Sequence, residues 1–373
     1  MDQVTETPTK AAIGRRIQTA REARGLTQAQ LAALLGIANH QTVSELEQGN
    51  RQLQPGELVR LTQVLERDLD YFLDPFTLAG EAEYSWRAEN APEEAIKEVS
   101  EQADRLVALL RWLRRLYDRE AGNPLKCVLR LSELSTFEDA QAAGERLAEQ
   151  LDLGDVPAAK LREKIQEQLD IPVLYVDTGN HRDVSGATVH LADFACILIN
   201  RREPTGRRAF DLAHELFHAL TWEAMPPKRI DSSTLDSRGA SRKRRIEQLA
   251  NNFATALLMP RALLEARIKR TDRSNPEQLC ALAAELSVSP SALAWRLYNL
   301  NWIKSSTRKA LQTMKSVEPP GALPPPYSEP FISMLSRALC EGRLSPRKAA
   351  KLLGLNLDEL DELFRQYGVE APY

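Results

Sequence analysis

The stretch Arg207-Arg-Ala-Phe-Asp-Leu-Ala-His-Glu-Leu-Phe-His-Ala-Leu220 decides the reading of this chain. Ala209, Phe210, Ala213, Phe217 and Leu220 recur at three- and four-residue spacing, which predicts a helix with one buried stripe. No Pro or Gly interrupts Arg207 to Met225. On that helix His214 and His218 stand four apart, so both imidazoles share a face and can point at one metal ion. Glu215 sits beside that face, where a carboxylate can activate a water molecule.

A second helix is predicted over roughly residues 242–258, from Ile246, Leu249, Ala250, Phe253, Ala254 and Leu257, with Pro260 ending the run. Glu247 lies on it, 29 residues after His218. It is the expected third ligand, with Asp211, Glu223 and Asp231 as rivals. Three protein ligands with an open fourth position make the catalytic zinc pattern rather than the closed structural one. The expected metal is Zn²⁺, with Mn²⁺ as an alternative, and Glu215 is the expected catalytic base.

The run 207–220, preceded by Ile-Leu-Ile-Asn200 and followed by Glu-x-x-Ala-Asn-x-Phe-Ala-x-x-Leu-Leu-Met-Pro (247–260), resembles the ImmA/IrrE family of metallopeptidases. The likeness extends over roughly residues 136–303. It implies metal binding by His214, His218 and Glu247, with Glu215 as general base. It also implies cleavage of helix-turn-helix repressors in response to stress or DNA damage. Phe217 stands where the family often has Gly or another small residue, which would narrow the space beside the metal.

The N-terminal 76 residues follow a different pattern. Ile13–Arg24 reads as a helix closed by Gly25. Thr27-Gln-Ala-Gln30 is a capping-box start for a second helix that ends at Gly36. Asn39 or His40 opens a third, ending at Gly49, and Pro55 begins a fourth. The block Leu-Thr-Gln-Ala-Gln-Leu-Ala-Ala-Leu-Leu-Gly-Ile…Thr-Val-Ser-Glu-Leu-Glu-Gln-Gly (26–49) resembles the XRE/Cro-type helix-turn-helix domain. The resemblance puts the third helix in the DNA major groove. His40, Gln41, Thr42, Ser44 and Glu45 are then the expected DNA-contacting residues, with Val43 and Leu46 facing inward. Arg15, Arg16, Arg21 and Arg51 suggest a basic stripe for phosphates. Over residues 10–70, eight basic side chains stand against seven acidic ones, so charge alone does not demand DNA.

The fold class expected is multidomain: an all-α helix-turn-helix domain (1–76), a helical connector (77–135), an α+β zincin-like metallopeptidase domain with a small sheet (136–315), a Pro-rich linker (316–330) and a C-terminal helical unit (331–373). In the catalytic part, Ile171–Asp177 reads as a strand. Gly186–Leu191 and Phe194–Asn200 read as a hairpin around Ala192-Asp193. A free edge of that sheet would hold an extended substrate. His181 and His190, near the sheet, read as surface or capping residues rather than cleft groups. Residues 72–90, between the modules, are a candidate self-cleavage stretch.

Seven Lys/Arg side chains fall within residues 228–245, against Asp231 and Asp236. Arg242, Lys243, Arg244 and Arg245 among them are a candidate nucleic-acid or regulatory patch, with single-stranded DNA as an activator. The net charge of −3 gives no global pull toward nucleic acid. The four cysteines form no C-x-x-C pair and read as reduced thiols. No apolar stretch reaches membrane-spanning length and no signal peptide opens the chain, so a cytoplasmic location is expected. The partners expected are DNA, a repressor-type protein substrate and a second copy in a homodimer. The competing reading is a DNA-binding regulator whose metallopeptidase-like domain senses a ligand or metal without turnover.

Overall fold

The computed structural model describes residues 8–87, 91–117, 129–179, 181, 183–226, 237–315 and 323–373. In chain order the elements are α1 (Lys10–Ala23), α2 (Gln28–Leu35), α3 (His40–Glu47), α4 (Pro55–Leu65), α5 (Leu69–Leu73), β1 (Glu83–Arg87), α6 (Glu93–Tyr117), α7 (Phe137–Gln150) and α8 (Pro157–Leu169). They continue with β2 (Val173–Val176), β3 (Gly186–His190), β4 (Ala195–Asn200), α9 (Thr205–Thr221), α10 (Ser237–Leu258), α11 (Arg261–Ile268), α12 (Pro276–Glu285), α13 (Pro290–Asn299) and α14 (Ser305–Thr313). The chain closes with α15 (Glu329–Cys340), α16 (Pro346–Leu353) and α17 (Leu357–Gln366).

These elements divide into two compact units. The first joins Met1–Glu83 to Lys97–Glu120 and Glu329–Tyr373. The C-terminal helices therefore belong to the same unit as the N-terminal ones. Lys348 pairs with Asp74 at 2.8 Å, and Tyr117 donates to Glu341 at 2.9 Å. The second unit holds Tyr84–Ile96 and Ala121–Ser328.

In the first unit, Thr27 and Gln30 form the capping box that starts α2, and Asn39 caps α3 through Gln41 N–H. Ile17, Leu31, Leu35, Val43 and Leu61 are buried between α1, α2, α3 and α4. An ion pair locks α1 to α3: Arg21 Nε lies 2.6 Å from Glu47 Oε1, and both side chains are buried. Gln28 donates to the other oxygen of Glu47 at 2.8 Å. Arg16 is equally hidden. It donates to the carbonyls of Phe72, Asp74 and Thr77 and pairs with Glu81, which also meets Arg111. Arg51 is bidentate to Glu57. The phosphate stripe expected from Arg15, Arg16, Arg21 and Arg51 is thus corrected: three of the four are committed to carboxylates of their own chain, and Arg15 alone is exposed.

In the second unit the described strands form a sheet in the order β1-β3-β4-β2. β3 pairs antiparallel with β4, and β2 runs parallel to it, Val173 opposite Ile197. The parallel pair is joined by the β3 hairpin strand, which turns back at Ala192-Asp193. The segment 77–135, expected to be mostly helical, contributes β1 to this sheet. Its short alternating run Glu-Tyr-Ser-Trp-Arg has strand composition, but its pairing with β3 is set by the fold.

One face of the sheet is covered by α9, and α10 packs against both α9 and α7. Gly144 permits the α7 contact: a Cβ there would lie 2.5 Å from the Phe253 carbonyl oxygen. Of the stripes expected from the sequence, Ala213, Phe217, Leu249, Ala250, Phe253, Ala254 and Leu257 are fully buried and Phe210 only half-buried, while Leu216, outside the expected stripe, is fully buried as well. Phe217 packs at a tilt against Phe253, ring centroids 5.6 Å apart, and lies edge-on to His218 at 5.7 Å, so its ring belongs to the core.

Candidate metal centre

His214 and His218 lie one turn apart on α9, and both are buried. Their Nε2 atoms are 3.1 Å apart. Glu247 reaches them from α10, with Oε2 3.1 Å from His214 Nε2 and Oε1 3.6 Å from His218 Nε2. Donors about 2.05 Å from a tetrahedral zinc ion stand roughly 3.3 Å from one another, so these separations fit that ion. The donor set, two nitrogens and one carboxylate oxygen, suits Zn²⁺ chemically. Among the described residues these three form a metal-sized group of ligand atoms.

Of the rival third ligands, Asp211 is fully buried but faces away into an ion-pair network. Arg87 Nη1 lies 2.6 Å from its Oδ1 and Arg207 Nε 3.1 Å from its Oδ2. Glu223 is exposed. Asp231 lies outside the described residues.

The candidate ligands are oriented by their neighbours. Asn251, four residues after Glu247 on the same face of α10, places Oδ1 2.9 Å from His214 Nδ1. An amide oxygen only accepts, so His214 donates from Nδ1 and its Nε2 lone pair faces the other ligands. Burial holds the His218 imidazole down to about 3, so it stays neutral and able to ligate. Burial pushes Glu247 upward, but its hydrogen bond to His214 and the neighbouring imidazoles outweigh this and hold it at about 2.

Glu215 is buried beneath β3. Thr188 Oγ1 stands 2.8 Å from both Glu215 Oε2 and the Glu215 carbonyl oxygen. The other carboxyl oxygen, Oε1, is buried and has no hydrogen-bond partner among the described residues. Burial raises this carboxyl to about 7, although His214, Arg87 and Thr188 pull it down. One oxygen is thus positioned by Thr188.

Among the described residues the sheet has no free edge beside Glu215, its outer strands being β1 and β2. β3, the strand that touches Glu215, carries β1 on its outer side, with Ser185 N–H donating to Arg87 O at 3.0 Å. β2 donates from Tyr175 N–H to Pro326 O at 2.9 Å. His190 stacks flat on Trp222 at 5.0 Å, a packing role away from the ligand atoms.

The remaining expected site residues divide by exposure. On α3, His40, Gln41 and Glu45 are exposed and Thr42 and Ser44 half-buried, while Val43 and Leu46 are buried as expected. In the basic run, Arg242 pairs with Glu133, and Arg245 donates to Ser135 O at 2.7 Å with its guanidinium over Phe137. Lys243 and Arg244 are exposed. Lys228 and Arg229 lie outside the described residues. Of the candidate self-cleavage stretch 72–90, Arg16 holds the carbonyls of Phe72, Asp74 and Thr77, residues 83–87 lie in the sheet, and residues 88–90 lie outside the described residues.

Sequence reasoning missed Asn251, Thr188 and Arg87. Only Asn251 carried a signal, its four-residue spacing from Glu247.

Comparison with known proteins finds matches in two segments of the chain. Residues 166–298 match the family described as IrrE N-terminal-like domain, and residues 12–70 match the one described as Helix-turn-helix domain. Over 62 residues, 17% of this chain, it is 34% identical to an uncharacterized HTH-type transcriptional regulator of Rickettsia conorii, covering 49% of that protein. An equivalent regulator of Rickettsia prowazekii matches at the same identity, with 47% covered. The chain thus spans about half the length of the curated relatives it matches. Among solved structures, the apo form of the competence regulator ComR from Streptococcus vestibularis aligns over 95% of this chain and 92% of that one. Its 10% identity and TM-score of 0.17 carry no argument. The chain carries a helix-turn-helix domain followed by an IrrE N-terminal-like domain of the ImmA/IrrE family.

Proposed function

We propose that the second unit is a zinc-dependent endopeptidase whose work is tied to transcription by the helix-turn-helix domain of the first. The observation that carries this reading is the convergence of His214, His218 and Glu247 at tetrahedral spacing, beside a buried carboxyl with one tethered and one open oxygen. His214, His218 and Glu247 would hold the ion. Bound Zn²⁺ supplies a Lewis acid that acidifies water and polarises a carbonyl.

The chain's own groups do the proton work. Glu215, raised to about 7, is poised to take a proton from water and return it to a leaving amine near neutral pH. Thr188 fixes which oxygen does so, because it occupies Oε2 and leaves Oε1. A pure sensor of metal or ligand has no use for a base held in this way, and that favours turnover over the regulator without chemistry.

The substrate in this reading is a regulatory protein, a helix-turn-helix repressor or the chain itself, and the trigger is stress or DNA damage. Self-cleavage in the described part of the stretch 72–90 requires release of the Arg16 clasp or of β1. α3 reads DNA through His40, Gln41, Thr42, Ser44 and Glu45. Phosphate contacts then rest on Arg15 and on backbone groups rather than on Arg16 and Arg21. Any regulatory nucleic acid at the basic run meets Lys243 and Arg244 first. The direct test is fragment formation by the zinc-loaded chain and its loss in Glu215→Gln.

A further inference from the structure

Two aromatic rings on the surface of α13 hold an arginine that has no carboxylate. Trp295 is 44% exposed and Tyr298 38%, high values for rings of this size. They meet edge to face, with centroids 6.2 Å apart. Arg308 of α14 lies over both, 4.2 Å from the centroid of Trp295 and 4.9 Å from that of Tyr298. Its Nε is buried without a hydrogen-bond partner, and no carboxylate among the described residues pairs with it. The arginines inside this unit differ in that respect: Arg87 ends on Asp211 and Arg296 on Glu145.

The charge around the rings has one sign. Residues 286–316 contain Arg296, Lys304, Arg308, Lys309 and Lys315 and no Asp or Glu, in a chain of net charge −3. Arg296 is buried, but Lys304 and Lys309 are exposed. Lys304 is the N-cap of α14 and stands one turn before Arg308.

We propose that Trp295, Tyr298 and Arg308 form a stacking platform for single-stranded DNA, with Lys304 and Lys309 meeting its phosphates. The inference goes beyond the peptidase reading, since it needs neither the metal nor Glu215. Exposed rings beside cations suit a nucleic-acid strand, because bases stack on the rings while phosphates meet the positive charge. Only unpaired bases offer their faces, which selects a single strand over a duplex. A guanidinium with no internal counter-ion gains a charge-assisted bond from a phosphate, whereas Arg87 or Arg296 would first have to leave a carboxylate. The helix-turn-helix match over residues 12–70 makes DNA the nucleic acid that this chain meets. The run 242–245 is less suited, with Arg242 paired to Glu133 and Arg245 laid on Phe137. Lys304, Arg308 and Lys309 lie beyond residue 298, where the IrrE N-terminal-like match ends.

The test titrates the full-length protein into a fluorescent oligothymidylate and reads anisotropy at several salt concentrations. Trp295→Ala is expected to weaken binding by about five- to hundredfold, the loss of one stacked base. Trp295→Phe, which keeps a ring, should restore most of it, and this separates lost stacking from lost packing. Lys304→Ala with Lys309→Ala should lower the slope of log affinity against log salt by about 0.7 for each phosphate contact removed. An abasic strand of the same length should bind more weakly than the oligothymidylate and equally well to the parent and to Trp295→Ala. Undetectable binding, equal binding of the abasic strand by the parent, or unchanged affinity in Trp295→Ala overturns the proposal. Poly-glutamate that displaces the strand at equal charge assigns the face to an acidic protein segment and also overturns it. Loss of all binding in Lys243→Ser with Arg244→Ser does the same by moving the site to α10. None of these outcomes depends on fragment formation, so the peptidase reading stands or falls separately.

Discussion

His214 Nδ1 donates to Asn251 Oδ1 across 2.9 Å, and this contact sets which nitrogen of His214 is free to ligate. It links the two helices that form the centre, because α9 carries the ring and α10 carries both Asn251 and Glu247. Asn251→Ala is expected to lower zinc affinity by about 10- to 100-fold, the cost of losing a partner that orients a ligand. Chelator competition measures it. Asn251→Asp, which keeps the acceptor, should recover most of the loss. Equal affinity in all three proteins would show that the ring orients itself.

Thr188→Val keeps the volume of the side chain and removes its hydroxyl from Glu215. A slower peptidase with unchanged zinc affinity is expected, because Thr188 touches the base and none of the ligands. Leaving a buried polar group short of a partner should also cost about 1–3 kcal/mol of stability. Denaturant unfolding of the metal-free proteins checks the second effect, and single-turnover cleavage the first.

The raised Glu215 carboxyl makes metal-free stability depend on pH. It moves from 4.5 to about 7 on folding. Between those values the folded chain keeps a proton that the unfolded chain releases, so this group's contribution to stability falls as pH rises through the window. Glu215→Gln removes the titration. The variant should therefore gain on the wild type steadily from pH 4.5 to 7 in chemical unfolding of the metal-free chain. A constant difference across that range contradicts a buried, raised carboxyl.

Arg21 and Glu47 make a similar point about the first unit. Removing one partner of a buried pair strands the other charge, so Glu47→Ala should cost about 3–5 kcal/mol in unfolding of the helix-turn-helix unit. Arg21→Met with Glu47→Leu should restore most of it. If the pair instead faced DNA phosphates, Arg21→Met alone would weaken DNA binding without lowering stability.

These arginines also show where the sequence ran out. Their composition suggested a phosphate stripe, but the partners that bury them, Glu47 and Glu81, are 26 and 65 residues away. Nothing local distinguishes a free arginine from one so engaged. The candidate ligands were legible because helical spacing alone brings His214 and His218 together. Glu247 needed only the period of its own helix. Asn251 obeys the same arithmetic and was readable in principle. Thr188 and Arg87 were not, since their places depend on how β3 and β1 pair and lie against α9, a tertiary matter. β1 was hidden for a further reason: five residues in a charged, helix-rich segment give too short an alternation to stand out.

Recognition by α3 is tested at Gln41, which is exposed near the start of the helix with its N–H capped by Asn39. Gln41→Ala should cost about 1–3 kcal/mol of specific DNA binding and relax the preference at one base pair. The salt dependence should not change, because no phosphate contact is lost. Titrations of an operator at two salt concentrations would measure both. A changed salt slope would move Gln41 from bases to backbone.

The central claim is turnover at the His214–His218–Glu247 centre. The most direct measurement incubates zinc-loaded wild type and Glu215→Gln, with and without single-stranded DNA, alone and with helix-turn-helix repressors, and reads fragments by mass spectrometry. The account predicts fragments from the wild type and none from Glu215→Gln at equal zinc content. Intact protein under every condition, with DNA binding retained, would contradict it.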